Sequence, residues 1–507
     1  MKRTPKNIPA RAPMARALVP IVAGIVAASF FTLPAWGAAV GVGVCILAAR
    51  VARHRVTADI YICSALFMAG WFAAEIRYDP PHIPEGEGLA EIAVDEIVAR
   101  RDRVVTAEGR LVAFATDGDT LRHSRRIRIS ASPSLDLSAG DRLVVLCRIK
   151  PYSRRSDDGY ERYMARRGFA GQATIRPQNV MKRHTGKASF GSRMRARAIE
   201  RIGHLGLPPE TEALTRAVAV GDRSGITPEM RKRHSLAGTA HLLAVSGLHV
   251  GFVFAMVNLL LWWMPLLRRG HLLRCAAAVA AIWLYAAAAG FSPSVTRAAV
   301  MFTVLQLSLG LSVRSDTMNS LAFTACIMLL FDARNLWDAG FLMSFAAVAA
   351  IIGWGIPLGR IGRRQEASAA EKHAATRRGP AKMTRYAVGR LWSAVAISLA
   401  AAMGTMPLAA LFFGSVSFWS IVTGPAAMLP SAVLLCTALV WSLAPLPVLA
   451  PAVARIITVS GGALEALMRW CASAGILSFE MGIDAAACVA VYAVFIAVTL
   501  WLRRRGE

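Results

Sequence analysis

The feature that most constrains this chain is a series of apolar runs, each about as long as a helix that crosses a membrane. A helix needs roughly 20 apolar residues to cross about 30 Å of hydrocarbon, because each residue adds about 1.5 Å. Such runs are predicted at 17–34, 36–50, 58–76, 239–263, 272–290, 293–312, 316–331, 340–358, 388–412, 418–443 and 482–502. Only 18% of the residues are charged, against about 25% in soluble proteins. The chain is therefore predicted to be an α-helical polytopic membrane protein with about 10–12 spans.

The distribution of basic residues predicts the orientation of these spans. The chain has 58 Lys and Arg against 31 Asp and Glu, which gives a net charge of +27. Loops rich in Lys and Arg stay in the cytoplasm, so the N-terminus, the loop 360–390 and the terminal Arg503–Arg505 are predicted to be cytoplasmic. The segment 444–481 fits three alternatives: it crosses once, forms a re-entrant pair, or lies flat on the membrane.

A polar segment at 79–207 interrupts the apolar runs. Residues 109–114, 126–129 and 142–146 read as short strands separated by turn residues. This pattern predicts an inserted β-barrel of OB type outside the cytoplasm. The predicted domains are N-terminal spans (1–78), the OB-like domain with a basic tail (79–207), an amphipathic surface segment (208–238) and a multi-span channel domain (239–507).

Three polar residues, His241, Ser246 and His249, lie inside the predicted span 239–263. On a continuous helix Ser246 and His249 share a face, and His241 lies about 80° away. Polar groups in a span usually face a bundle interior or a water-filled path, and their clustering here favours a polar path. The alternatives are interhelical hydrogen bonds, with Gly247 allowing close packing, and a nucleophile–base pair, although no carboxylate in this span orients the histidine.

A second polar cluster begins at Ser292, which is predicted to cap a helix whose first residue is Pro293. Ser294 and Arg297 follow in the first turns. An arginine in lipid costs roughly 2.5–3.5 kcal/mol, so Arg297 is expected either to reach the headgroups or to face an anionic cargo. In a third cluster, Asp338 precedes a span that contains Phe341 and Ser344, and Phe341 is predicted to pack in the core.

Several enzyme signatures are absent from the sequence. It has no GxxxxGK[ST] run, no HEXXH and no closely spaced His and Asp that would hold a metal pair. We therefore expect no catalytic residue, no metal and no cofactor, and an energy source supplied by a partner.

The motif from His241 to Gly251 resembles the signature of ComEC-type competence proteins, the inner-membrane channels for DNA uptake in bacterial transformation. The resemblance continues in order through residues 160–164, 167–170, 221–225, 290–298, 314–316 with Asn319, 338–345 and 406–408. It therefore extends over nearly the whole chain. It implies a multi-pass protein of the bacterial cytoplasmic membrane that passes single-stranded DNA.

The resemblance, taken with the polar clusters, implies specific roles for residues. Channel-lining residues would be His241, Ser246, Gly247, His249, Ser292, Ser294, Arg297 and Ser344. Motif residues of structural importance would be Asp222, Arg223, Gly225 and Phe341. The DNA-contacting residues of the basic tail would be Lys182, Arg183, Lys187, Arg193, Arg195 and Arg197.

The implied partners are single-stranded DNA, the phospholipid membrane, a periplasmic DNA receptor, a separate nuclease, and a cytoplasmic helicase or single-strand-binding protein. Many family members carry a metallo-β-lactamase-like domain, but this sequence has no His-x-His-x-Asp-His run. Strand degradation is therefore expected from another protein. Two other functions remain open: a secondary transporter of an anionic small solute, and an intramembrane hydrolase that uses Ser246 and His249.

Overall fold

The computed structural model describes residues 13–31, 33–78, 83, 87–100, 104–116, 120–121, 124–153, 158–186, 189–243, 245–310, 316–359, 380–474 and 478–505. Lys187 and residues 360–379 of the predicted cytoplasmic loop lie outside this part of the chain. The chain forms two compact units. The first contains 1–200, 222–224 and 257–338, and the second contains 201–221, 225–256 and 339–507.

Helices make up most of both units. In chain order they are α1 (Pro13–Ala27), α2 (Ala35–Val51), α3 (Arg55–Tyr78), α4 (Gly159–Arg166), α5 (Phe190–Gly203), α6 (Pro209–Val220), α7 (Pro228–Leu236), α8 (Gly247–Leu260), α9 (Gly270–Ala288), α10 (Pro293–Gly310), α11 (Thr317–Phe331), α12 (Ala339–Ala350), α13 (Pro380–Phe413), α14 (Ser420–Leu443), α15 (Ala450–Ala474) and α16 (Ala485–Arg505). Helix α12 continues through a π-helical turn at Ile351–Gly355.

Twelve apolar helices of the described chain account for the predicted spans. Six are long enough by length and composition to cross a membrane, at 55–76, 270–288, 339–359, 389–413, 420–443 and 447–473. Six shorter apolar helices lie at 13–27, 35–51, 247–260, 294–307, 317–331 and 485–499. The predicted helical membrane fold is confirmed.

The polar segment forms the predicted β-barrel within the first unit. Its strands are β1 (Glu87–Arg100), β2 (Val105–Ala115), β3 (Thr120–Leu121), β4 (Arg125–Ala131), β5 (Arg142–Pro151), β6 (Gly171–Ile175) and β7 (Val180–His184). Five of them close a ring in the order β1-β2-β4-β6-β5-β1, and β3 and β7 pair at its margin. Strands β4 and β6 run parallel, and the other pairs of the ring are antiparallel.

Alternation of apolar and polar residues explains why these strands close around one core. Ile127 and Ile129 of β4 are fully buried, and the arginines that flank them lie on the outer surface. Leu111 and Phe114 of β2 and Leu143 of β5 complete the same core. Because neighbouring residues of a strand point to opposite faces, each buried residue places a polar neighbour outside.

The ambiguous segment 444–481 is a long helix followed by a strand. Helix α15 packs antiparallel to α14, and the chain then forms β9 (Ser478–Glu480), which pairs with β8 (Ser415–Ser417). The end of the α14–α15 hairpin therefore lies beside its beginning, because β8 precedes α14 and β9 follows α15. Among the three alternatives predicted for 444–481, a single crossing by α15 agrees with this pairing.

The continuous helix expected across 239–263 is wrong. Residues Ala240–Leu243 form a 3₁₀ turn, and α8 begins only at Gly247. Upstream, α7 begins as its sequence predicts, because the Thr227 hydroxyl accepts a hydrogen bond of 3.2 Å from Met230 N and Pro228 is the first helical residue. In the segment 208–238, α6 is buried along most of its length. A surface position on the membrane stays a prediction.

Candidate nucleic-acid path

Ser246 and His249 form a reciprocal cap at the start of α8. His249 N donates to Ser246 Oγ at 3.4 Å, and Ser246 N donates to His249 Nδ1 at 3.2 Å. This is the geometry of a capping box in which histidine takes the place of the usual Glu or Gln. The two side chains therefore approach each other across a helix start, not along one helical face as the continuous span implied.

The cap determines which nitrogen of the neutral His249 ring carries the proton. Because Nδ1 accepts a backbone N–H, the neutral ring carries its proton on Nε2. His249 is 0% exposed, and its Nε2 is buried without a hydrogen-bond partner among the described residues. The ring nitrogen that faces Ser246 is already occupied, so it is not positioned to take a proton from Ser246 Oγ. This geometry gives the hydrolase alternative no support.

His241 and Gly247 lie on either side of the helix break. His241 is in the 3₁₀ turn, where its side chain is exposed at the surface of the protein. Gly247 is the first residue of α8 and is half-buried. The expected 80° relation between His241 and the Ser246–His249 face is therefore wrong, because no continuous helix joins them.

Arg297 lies in the second turn of α10 and is 1% exposed. Its Nη1 is 3.8 Å from Asp338 Oδ1, in the same unit. The expectation that this side chain reaches the lipid headgroups is wrong, because the guanidinium is enclosed by protein. A buried charge needs compensation, and the Asp338 carboxylate supplies part of it.

The start of α10 departs from its predicted cap. Helix α10 begins at Pro293, as expected, after a tight turn in which Gly290 and Phe291 have φ values of 73° and 51°. However, the buried Ser292 Oγ makes no hydrogen bond to the described residues, so its side chain does not cap the helix. Ser294 is half-buried in the first turn.

The barrel contacts the turn before α10 and the segment that leads to Asp338. Arg195 of α5 forms an ion pair with Glu96 of β1, and a Cβ atom on Gly290 would lie 3.4 Å from both side chains. Arg334 lies directly against Gly168, whose φ of 82° also favours glycine, and Asp332 holds Arg334 through bonds of 2.8 and 2.7 Å.

The remaining motif residues shape local structure. Phe341 is buried and packs on Phe345 with ring centroids 4.4 Å apart, while Ser344 is half-buried on α12. The Asp222 carboxylate accepts a hydrogen bond of 3.1 Å from Ser224 N, which closes a turn. Arg223 and Gly225 are exposed in this loop.

The basic tail is only partly available to a ligand. Arg183 donates to Asp141, Leu135 O and Asp136 O at 2.8–2.9 Å, which ties β7 to the barrel. Arg195 is committed to Glu96. Lys182, Arg193 and Arg197 are exposed, and Lys187 lies outside the described residues.

Sequence reasoning missed a second group of basic residues on the outer surface of the barrel. This group contains Arg128, Arg148, Lys150 and Arg176, which lie on or beside β4, β5 and β6, and the Arg128 guanidinium is 5.9 Å from the ring centroid of the exposed Tyr160. The alternation Arg126-Ile127-Arg128-Ile129 was the available signal, because it places charge and apolar core on opposite faces. Which strands bring these charges together depends on the register of the barrel.

Comparisons with known proteins agree with the motif order. The family model described as Competence protein matches residues 218–505, more than half of the chain. The chain is 32% identical over 148 residues to ComE operon protein 3 of Bacillus subtilis (strain 168). The aligned region covers 29% of this chain and 18% of that protein. It is also 32% identical over 172 residues to competence protein ComA of Neisseria gonorrhoeae. This second aligned region covers 30% of this chain and 23% of that protein.

Each of these two alignments spans less than a quarter of the relative's length. No solved structure gives a significant match. The family model nevertheless covers the Ser246–His249 cap, Arg297 and the α14–α15 hairpin in one continuous match. The chain belongs to the ComEC-type competence protein family.

Proposed function

We propose that this protein conducts single-stranded DNA across the bacterial cytoplasmic membrane during natural transformation. The observation that carries the proposal is the contact of an OB-like barrel with the turn before the helix of Arg297 and with the segment that leads to its partner Asp338. OB folds commonly bind oligonucleotides, and an arginine is the side chain best suited to a phosphate. A strand held by the barrel is thereby delivered close to a cation within the helices.

The Arg297–Asp338 pair suggests how such a path stays closed at rest. The Asp338 carboxylate lies 3.8 Å from Arg297 Nη1, which is longer than a charge-assisted hydrogen bond, so it compensates part of the charge of the guanidinium. A phosphate of the incoming strand competes with Asp338 for the same cation. Because conduction requires weak and repeated binding, a partly compensated arginine is better suited than a free one.

The helix break before α8 supplies a second polar element. Breaks at membrane depth occur where the backbone is buried in protein or lines a cavity. The His249 Nε2–H is a neutral donor without a partner among the described residues, so it can contact a base or phosphate without holding it tightly. His241, Ser246, Gly247, Ser292, Ser294 and Ser344 keep their predicted channel-lining roles as part of this proposal.

The β8–β9 pairing supports the membrane orientation that forms part of this proposal. If β8 and β9 lie on the periplasmic side, α14 and α15 each cross once and α16 ends at the cytoplasmic Arg503–Arg505. The N-terminus is then cytoplasmic and the barrel periplasmic. This arrangement also keeps the basic residues before α1 in the cytoplasm.

Other proteins would complete the pathway. The sequence contains no Walker-type ATP site, so inward pulling is assigned to a cytoplasmic helicase or single-strand-binding protein. A periplasmic receptor would deliver duplex DNA, and a separate nuclease would remove one strand.

Transformation frequency in a deletion strain tests the proposal. The strain is complemented with wild type, His249→Ala, Arg297→Ala or Asp338→Asn, and membrane abundance is measured for each. We expect a loss of at least tenfold for the first two substitutions at normal abundance. The control Arg455→Ala removes an exposed arginine of α15 and is expected to transform normally.

Normal transformation without the gene would overturn the uptake function. In that case the transport of an anionic small solute would become the leading explanation for a buried arginine in a polytopic protein.

A further inference from the structure

We propose that single-stranded DNA binds a groove on the outer surface of strands β5 and β6, which Arg128 of β4 extends, and not the basic tail or the neighbouring face formed by β2 and β4. This inference rests on the proposed function and names the site at which the strand is first held. The groove has a volume of about 830 Å³ and is lined by Arg148, Lys150, Gln172, Thr174, Arg176 and Asn179, among others.

Strand register brings the basic residues into one row. Gln172 of β6 pairs with Arg128 of β4 on one side and with Lys150 of β5 on the other. Neighbouring strands lie about 4.8 Å apart, so these three outward side chains follow one another across the sheet. Arg148 and Arg176 extend the positive charge along the groove.

Three arginines of this region carry uncompensated charge. Within the described residues, Arg128, Arg148 and Arg176 form no ion pair with a carboxylate. Lys150 pairs with Glu161 at 2.5 Å, so its charge is partly neutralised and the three arginines carry most of the positive balance. Glu87 is the acidic residue of the groove wall. The region therefore keeps a positive balance that phosphates can neutralise.

An exposed aromatic ring lies beside Arg128 and is linked through Tyr152 to Gln172 of the groove. Tyr160 is 47% exposed at the start of α4, and the Arg128 guanidinium lies 5.9 Å from its ring centroid. Tyr152 packs edge-on against Tyr160 with centroids 6.3 Å apart, and its hydroxyl donates to Gln172 Oε1 at 2.8 Å. Tyr160 is therefore held in place beside the row of cations. An exposed ring next to basic side chains is the arrangement on which unpaired bases stack.

The face formed by β2 and β4, which OB folds commonly use, is electrostatically different here. Arg110 pairs with Asp95 at 2.9 Å, and Arg126 pairs with Glu108 at 2.9 Å. The hydrogen bonds that Arg110 donates to the Asp95 carboxylate raise the pKa of Arg110, so the guanidinium stays charged and paired. Because its cations are already paired, this face offers less to a polyanion than the neighbouring groove.

Binding of a fluorescent oligothymidine to the full-length protein in nanodiscs tests the site. The groove variant carries Arg128→Ala, Arg148→Ala and Arg176→Ala, and the matched control carries Lys182→Ala, Arg193→Ala and Arg197→Ala. We expect at least a tenfold weaker affinity for the groove variant and less than a threefold change for the tail control. Each lost phosphate contact lowers the salt slope by about 0.7 on single strands, so the groove variant should lose about 2.

Tyr160→Ala separates stacking from charge. It should weaken oligothymidine binding by at least fivefold while leaving the salt slope unchanged, and Tyr160→Phe should restore binding. An unchanged affinity in the groove variant, or a larger loss in the tail control, would overturn the groove. If the groove variant kept its affinity for oligothymidine and instead lost binding to anionic vesicles, the groove would be reassigned to lipid headgroups.

The failures of the two proposals are distinguishable. A groove variant that binds oligothymidine and transforms normally, in a strain whose deletion abolishes transformation, overturns the groove and leaves uptake standing. A deletion strain that transforms normally overturns uptake, whatever the oligonucleotide measurement gives.

Discussion

The barrel and the helices of this protein have opposite interiors. In the barrel, Ile127, Ile129 and Phe114 are buried while basic side chains cover the outside. In the helices, ionisable residues such as His249, Arg297 and Glu465 are buried while large apolar residues are exposed. The difference reflects the surroundings: water can solvate charge on the barrel surface, whereas lipid cannot solvate charge on the outside of a helix. Candidate contacts with DNA should therefore be sought on the outside of the barrel and on the inside of the helices.

The largest expected effect comes from emptying the apolar core of the barrel. Phe114→Ala should cost about 3–5 kcal/mol, because a buried aromatic ring is lost and a cavity remains. Leu146→Ala is the matched control, since its side chain is 40% exposed on the outer face of β5, and it should change stability by less than about 0.5 kcal/mol. Hydrogen exchange of the β2 amides in the full-length protein measures both. Equal effects would contradict the assignment of inner and outer faces.

The interior of the helices should be equally sensitive to the loss of charge. Glu465 of α15 is buried 3.3 Å from His234 Nε2, and Arg233 Nη1 is 3.8 Å from its carboxylate. Glu465→Ala should cost about 3–5 kcal/mol, because it leaves buried polar partners uncompensated. Glu108→Ala removes a surface pair on the barrel and should cost at most about 1 kcal/mol. Thermal unfolding in nanodiscs compares them, and a similar shift for both would remove the contrast.

The stability of the barrel should depend on pH through its buried thiol, Cys147. Burial, with a smaller contribution from Glu87, raises the pKa of the Cys147 thiol to about 11 from an ordinary 9.0. The folded barrel therefore favours the protonated thiol. Its contribution to stability is complete below pH 9 and is lost progressively as the pH rises. By pH 11 the loss amounts to about 2 kcal/mol. The difference in β5 hydrogen-exchange protection between wild type and Cys147→Ala should change over this range, and a constant difference would contradict the expectation.

The smallest expected effect concerns the cap of α8. Ser246→Ala should destabilise the start of the helix by about 1 kcal/mol, whereas Ser246→Thr keeps an accepting hydroxyl and should be close to neutral. Hydrogen exchange of the His249 amide reports the change directly. Labelling by a serine-reactive probe that disappears in Ser246→Ala would contradict the capping role and restore the hydrolase alternative.

The sequence predicted the barrel through the strands that alternate, but it did not reveal β1. Residues 87–100 are rich in Ala and Glu, which favour helices. They form a strand because β2 and β5 both pair with them and close the ring. Tertiary pairing overrode the local preference, and no local pattern carries that information.

The candidate site was predictable where partners are near in sequence. The three-residue spacing of Ser246 and His249 correctly indicated proximity, although the helix break turned a shared face into a cap. Asp338 was not predicted as the neighbour of Arg297, because only the fold brings α10 and the start of α12 together. The row Arg128–Gln172–Lys150 depends in the same way on strand register.

The pairing of β8 with β9 has a consequence for the assembly of the protein. The two strands are separated by the whole α14–α15 hairpin, so they cannot meet until both helices have been inserted. The pairing is therefore a late event in biogenesis, and it records that insertion of the hairpin is complete. Until residues 478–480 have been synthesised, β8 is an unpaired strand edge, and such an edge can pair with another chain.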